Sequence, residues 1–305
     1  MLDAKNNGIS QTRATIEVLI TVFFWSASFA LMKIATETMQ TLTAVWFRIF
    51  FGMIPITCAV IYRRQLRLPP RGLILTFIVL GSLGVTFHQN LQLVGMITAG
   101  VANANWLIAG TPSFVAILGW LFLKERISKP AILGLLLSGC GVLLVVGLGT
   151  RGVNMFRITA AGDMMIALSA LNWAVFVILS RKFVRDHPPA FTVFWINMVA
   201  LIEQTVLVIL FGQPLAGVVD IIPIGWFAIF ILGFFCSGLA YVFWYDGLAV
   251  MPAAKVTAFQ FLQPILGAVI AYIISGERFT PFMAAGGALI LTGVWLVNRR
   301  QKAAS

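Results

Sequence analysis

Two stretches of this chain, 152 residues apart, are versions of one another. From Ala102 the sequence reads ANANWLIAGTPSFVAILGWLFLKERISKPAILGLLLSGCGVLLVV, and from Ala254 it reads AKVTAFQFLQPILGAVIAYIISGERFTPFMAAGGALILTGVWLVN. Without a gap, Pro112 falls on Pro264, Ala116 on Ala268, Glu125-Arg126 on Glu277-Arg278, Gly134 on Gly286 and Gly141 on Gly293. If each copy crosses a bilayer five times, an odd number, the second copy must sit upside down. Inverted pairs of this kind are a recurring ground plan of secondary transporters, with a site near the midplane between the halves.

Composition supports a membrane chain. Of the 305 residues 60% are hydrophobic and 10% charged, with a mean hydropathy of +0.97, whereas a soluble domain carries about 25% charged residues. Each crossing needs roughly 20 apolar residues. We read ten helices, at about 16–36, 43–62, 72–93, 98–122, 130–148, 162–180, 192–212, 222–246, 254–275 and 281–298. The fold class is therefore all-α: ten transmembrane helices in two inverted five-helix repeats, 1–149 and 150–305. Breakers such as Leu68-Pro69-Pro70-Arg71, Ser128-Lys129-Pro130, His187-Pro188-Pro189 and Thr280-Pro281 stand at the turns. The runs lack the two-residue alternation of a membrane barrel. The polar start and the absence of a convincing cleavage site make the first helix a retained anchor.

The net charge of +11 is no sign of nucleic-acid binding, because the charges sit in short clusters between apolar runs. With the N-terminus inside, Lys5, Arg13, Arg63, Arg64, Arg67, Arg71, Lys124, Arg126, Lys129, Arg181, Lys182, Arg185, Lys255, Arg299, Arg300 and Lys302 share one side, and only Arg151, Arg157 and Arg278 the other. The positive-inside rule then puts both termini in the cytoplasm, which an even number of crossings requires. Cys58, Cys140 and Cys236 lie in apolar runs without metal or redox spacing and read as packing residues.

Several polar residues fall inside the spans. Gly81, Gly84, His88, Leu91, Gln92 and Gly95 share one face of the third helix. The glycines read as a packing seam; His88 reads as a cavity residue or a paired structural one. Asn103 and Trp106 share a face of the fourth helix. Trp25, and Trp173 with its neighbour Asn172, lie too deep for an interfacial belt. Thr257, Gln260 and Pro264 share a face of the ninth helix, as do Tyr241 and Tyr245 on the eighth. Pro112 and Pro264 each remove a donor in mid-helix and should bend it, as a moving hinge or a fixed kink. Glu203 is placed mid-span, where a carboxylate must be protonated, paired or wet; proton coupling and a structural hydrogen bond both fit. Lys33 and Arg48 would either draw in a carboxylate-bearing substrate or snorkel to headgroups.

The repeat, the ten short helices, the Trp25 and Trp173 positions, and above all PSFVAILGWLFLKERIS and PILGAVIAYIISGERFT resemble the drug/metabolite transporter superfamily, in its ten-helix EamA-type branch. The resemblance covers nearly the whole chain and, within the branch, is greatest to the aromatic amino acid exporters. It implies a multi-pass inner-membrane carrier that exports small amphipathic metabolites, amino acids including aromatic ones among them, by alternating access. Its partners would be a small-molecule substrate and the lipid bilayer, with oligomeric state open and a monomer allowed. The expected cavity is aromatic, with polar orienting groups: Trp25, His88, Asn103, Trp106, Asn172, Trp173, Tyr241, Tyr245 and Gln260. Aromatic walls suit ring-bearing substrates and can cradle an ammonium group. A passive facilitator and a multidrug or other metabolite carrier of the same fold are the alternatives. An integral-membrane enzyme is remote: His88 and His187 are far apart, and no catalytic, metal or cofactor constellation is present.

Overall fold

The computed structural model describes residues 9–37, 39–99, 108–125, 127–144, 161–212, 222–267, 269 and 281–298. All regular structure among them is helical. The helices are α1 Gln11–Thr36, α2 Thr41–Tyr62, α3 Arg71–Ile97, α4 Thr111–Leu123, α5 Lys129–Val142, α6 Ala161–Val184, α7 Pro189–Phe211, α8 Pro223–Val250, α9 over 253–267 and α10 Pro281–Asn298. Their starts follow local chemistry. Ser10 Oγ accepts from the Arg13 amide to begin α1, and Ser128 Oγ accepts from the Ala131 amide to begin α5, each satisfying a first-turn donor that has no partner within its helix. Proline in the first turn of α4, α5, α7 and α8 sits where its missing N–H leaves no gap.

The helix contacts repeat with the halves exchanged. α1 packs on α8 as α6 packs on α3, and α2 packs on α8 as α7 packs on α3. α2 with α7, α4 with α9 and α5 with α10 pair an element with its own counterpart. The α5–α10 pair shows the inversion directly. A Cβ added at Gly134 would lie 2.5 Å from the Gly293 carbonyl, and one at Gly141 equally close to the Gly286 carbonyl. The contacts run 134 to 293 and 141 to 286, so the two helices are antiparallel. The small-residue stripes thus join the two halves, and only residues without a side chain allow this approach.

A second feature is duplicated but carries no sequence signature. Ser82–Phe87 of α3 and Leu232–Leu239 of α8 are π-helical, just before His88 and Tyr241. Widened turns of this kind free carbonyls and are frequent at functional sites. Pro112 differs from expectation: the described part of α4 starts at Thr111, so this proline stands in a first turn rather than bending a continuous helix there. Pro264 follows a tighter 3₁₀ turn, Phe259–Leu262. α1 bends by 42° between Gln11–Ser28 and Ala30–Thr36. Large apolar side chains such as Phe122, Ile209 and Phe227 cover the exterior, as a lipid-facing shell requires.

Candidate functional site

Facing helices of the two halves enclose a narrow cavity, about 50 Å³ between the described residues. That is room for a few water molecules, not for a metabolite. Trp25, Trp173 and Tyr241 form its aromatic wall, and Arg48, His88, Gln89, Gln92, Thr111, Gln260 and Gln263 its polar lining. Trp25 and Trp173 meet edge to face with ring centroids 5.5 Å apart. Tyr241 lies 6.1 Å from Trp25 and 6.0 Å from Trp173. Trp244, one turn further along α8, packs 4.9 Å from Trp25 and 6.1 Å from Trp173. This arrangement buries large rings at preferred angles.

The π segments orient these groups. The Trp25 Nε1–H donates to the Cys236 carbonyl at 2.8 Å, and Asn172 Nδ2 donates to the Leu83 carbonyl at 2.6 Å, each across to the π segment of the other half. His88 Nδ1 lies 2.9 Å from Ser169 Oγ, and its ring tilts over Trp173 at 4.8 Å. Among the buried polar atoms on the lining residues, Thr111 Oγ1, Trp173 Nε1 and Gln260 Oε1 have no hydrogen-bond partner among the described residues. Buried polar groups are nearly always paired, so these point to water or a ligand.

Of the residues read from the sequence, Trp25, His88, Trp173, Tyr241, Gln260 and Arg48 come together around the cavity. Asn172 is spent on the Leu83 carbonyl, and Tyr245 pairs with Ser180 Oγ at 2.8 Å, fully buried; neither lines the space. Glu203 accepts from Ser82 Oγ at 2.5 Å and Thr86 Oγ1 at 2.6 Å, between α7 and α3 and off the cavity lining. Lys33 is exposed. Asn103 and Trp106 lie outside the described residues. Sequence reasoning overlooked Gln89, Thr111 and Gln263: Gln89 follows the π segment of α3, Thr111 opens the described part of α4 and Gln263 follows the 3₁₀ turn of α9, so none keeps the simple helical register of its neighbours.

The basic ends of the helices are tied shut. Arg63, just past α2, grips Asp246 of α8 with two bonds of 2.6 Å, and the Asp246 side chain is 0% exposed. Burial alone would weaken the Arg63 guanidinium's hold on its proton, but Asp246, with help from Glu17, raises it above the usual value. Nearby, Arg13 pairs with Glu17 at 2.8 Å. Glu125, of the repeated Glu-Arg motif, accepts the Ala253 amide at 3.1 Å and so caps α9. Arg181 lies 3.5 Å from Glu125 and donates to the Leu248 and Ala249 carbonyls. Along α8 the cavity residue Tyr241 is thus followed by Trp244 and then by the charge-paired Asp246. Glu277-Arg278, the motif's second copy, falls outside the described residues.

A model of the EamA-like transporter family matches residues 13–147 and again 160–299. The chain is similar to an uncharacterized transporter of Archaeoglobus fulgidus, 27% identical over 286 residues, 92% of this chain and 96% of that one. It is 25% identical over 294 residues to a probable terminal-alkyne amino-acid exporter of Streptantibioticus cattleyicolor, 95% of this chain and 94% of that one. It is 24% identical over 289 residues to a probable amino-acid metabolite efflux pump of Salmonella typhimurium, 91% of this chain and 92% of that one.

Proposed function

The chain belongs to the EamA-like transporter family, a multi-pass membrane transporter family, and on that premise we propose that it exports small amphipathic metabolites, amino acids with aromatic side chains among them, across an inner membrane by alternating access. Both termini are cytoplasmic in this reading. The observation that carries it is the cavity, where Trp25, Trp173 and Tyr241 face a lining with unpartnered Thr111 Oγ1 and Gln260 Oε1. Rings would stack against the aromatic wall. The polar atoms would replace part of the hydration that the substrate's charged end loses on entry. Two of the relatives bear amino-acid exporter names, which favours this substrate class over sugars.

The small volume fits a step in which the path toward the basic end is closed by Trp244 and the Arg63–Asp246 pair. Admission from that side requires these contacts to part while the cavity widens, and the self-paired α5–α10 seam gives the halves a fixed axis to move about. Purified protein in liposomes, tested with labelled amino acids, sugars and cationic drugs, checks the assignment. Selective flux of amino acids, largest for aromatic ones, supports it; flux of sugars or drugs with no amino acid moved removes it.

A further inference from the structure

Arg48 sits in the second turn of α2, inside the apolar span, and only 6% of it is exposed. Its Nε donates to Ser237 Oγ at 2.6 Å, and Nη1 lies 3.2 Å from Met32 Sδ. Neither partner carries a charge. The ion pairs among the described residues all lie elsewhere, at Arg13–Glu17, Arg63–Asp246 and Arg181–Glu125. No aspartate or glutamate appears among the cavity's described lining residues, while Arg48 does. A buried guanidinium that keeps its charge needs an anion or water close by.

The seat is also built. α2 and α8 approach backbone to backbone through Gly52, Gly233 and Gly238; a Cβ at Gly233 would lie 2.8 Å from the Arg48 carbonyl. This holds Arg48 against the π segment that supplies Ser237. A residue that merely snorkels to headgroups would not be clamped at its Nε and surrounded on all sides.

We propose that Arg48 is the substrate's carboxylate anchor, and that the cavity therefore selects carboxylate-bearing ligands over their carboxamide analogues. The inference rests on the central cavity as the substrate site and narrows what that site takes. Arginine presents a planar fork that matches a carboxylate with two parallel bonds. With Ser237 occupying Nε, the terminal nitrogens are the ones left to bind it. The carboxylate would supply the missing counter-charge, and the ring of an aromatic acid would lie toward Trp25 and Trp173.

The test is a titration of tryptophan fluorescence in the purified full chain with L-phenylalanine, L-phenylalaninamide, 3-phenylpropionate and 3-phenylpropionamide. The expected result is that each acid binds at least about tenfold more tightly than its amide, the size expected of a hydrogen bond to a charged group. Arg48→Gln should lose that preference, and Arg48→Lys should keep part of it. The wild-type comparison stands even if a variant fails to fold. Equal binding of acid and amide, binding of neither, or an undiminished preference in folded Arg48→Gln overturns the proposal. The same protein in liposomes separates it from the transport reading. Arg48-dependent acid binding without amino-acid flux leaves the anchor standing and removes amino acids as cargo. Amino-acid flux with amides carried equally well does the reverse.

Discussion

The Ser138 hydroxyl donates to the carbonyl oxygen of Ile290 at 3.4 Å, and the two residues are each other's counterparts, 152 positions apart in the chain. A residue that meets its own counterpart lies on the axis relating the halves. Gly134 against Gly293 and Gly141 against Gly286 flank it symmetrically.

The seam yields a paired prediction. Gly293→Ala puts a methyl group 2.8 Å from the Ser138 amide nitrogen and closer still to its hydroxyl, as well as against the Gly134 carbonyl. Overpacking of this kind costs about 1–3 kcal/mol, so thermal unfolding in detergent should begin several degrees lower. Gly139→Ala, one residue from Ser138 but with nothing within 4 Å of the added methyl, should be neutral or slightly stabilising, by up to about 1 kcal/mol. A neutral Gly293→Ala would mean that the halves do not meet here.

The Arg63–Asp246 pair should show strong coupling. Asp246 is wholly buried and Arg63 largely so, and removing one partner leaves the other charge poorly solvated. In a double-mutant cycle of Arg63→Ala and Asp246→Ala, unfolding free energies should give a coupling of about 1–3 kcal/mol. Additive effects would show that the pair is incidental.

Glu125 reaches from the end of α4 to the first amide of α9, which gives the Glu of the repeated motif a structural task. Glu125→Ala should destabilise by about 0.5–2 kcal/mol, the usual value of a lost cap. Glu125→Gln, which keeps an oxygen acceptor, should lose less. Thermal unfolding of the two variants side by side checks the order.

Glu203 gives a test of coupling. Both of its oxygens are engaged by Ser82 and Thr86 between α3 and α7, so its neutral isostere can keep the packing. Glu203→Gln should retain pH-gradient-driven flux in liposomes within about fivefold, since a barrier change below about 1 kcal/mol stays within that range. Loss of gradient-driven flux with equilibrium exchange intact would instead make Glu203 the proton carrier.

Much of the architecture is legible in the chain because its causes are local. The Pro and Glu-Arg positions and the glycines at 134, 141, 286 and 293 expose the repeat, and most helix ends fall within a few residues of capping serines and prolines. Two members of the aromatic wall, Trp25 and Trp173, are readable because they stand too deep for an interfacial belt, and Tyr241 because it shares a helix face with Tyr245. The two π segments were not readable, since a one-residue widening leaves no mark on hydropathy. They decide that Asn172 turns to a carbonyl and that Gln89 joins the lining. Asp246 was missed because its partner, Arg63, is 183 residues away in sequence and reads alone as a topology charge. Arg48 was left between two roles by its sequence; only the neighbours supplied by α1 and α8 show that it is enclosed.

Counterflow in proteoliposomes tests the central claim most directly, that two inverted halves take turns exposing one enclosed cavity. Vesicles loaded with an unlabelled amino acid that the protein carries should accumulate the labelled form transiently above its outside concentration. Entry of label at a rate indifferent to what is loaded inside, with no overshoot, would contradict the account and describe an open pore.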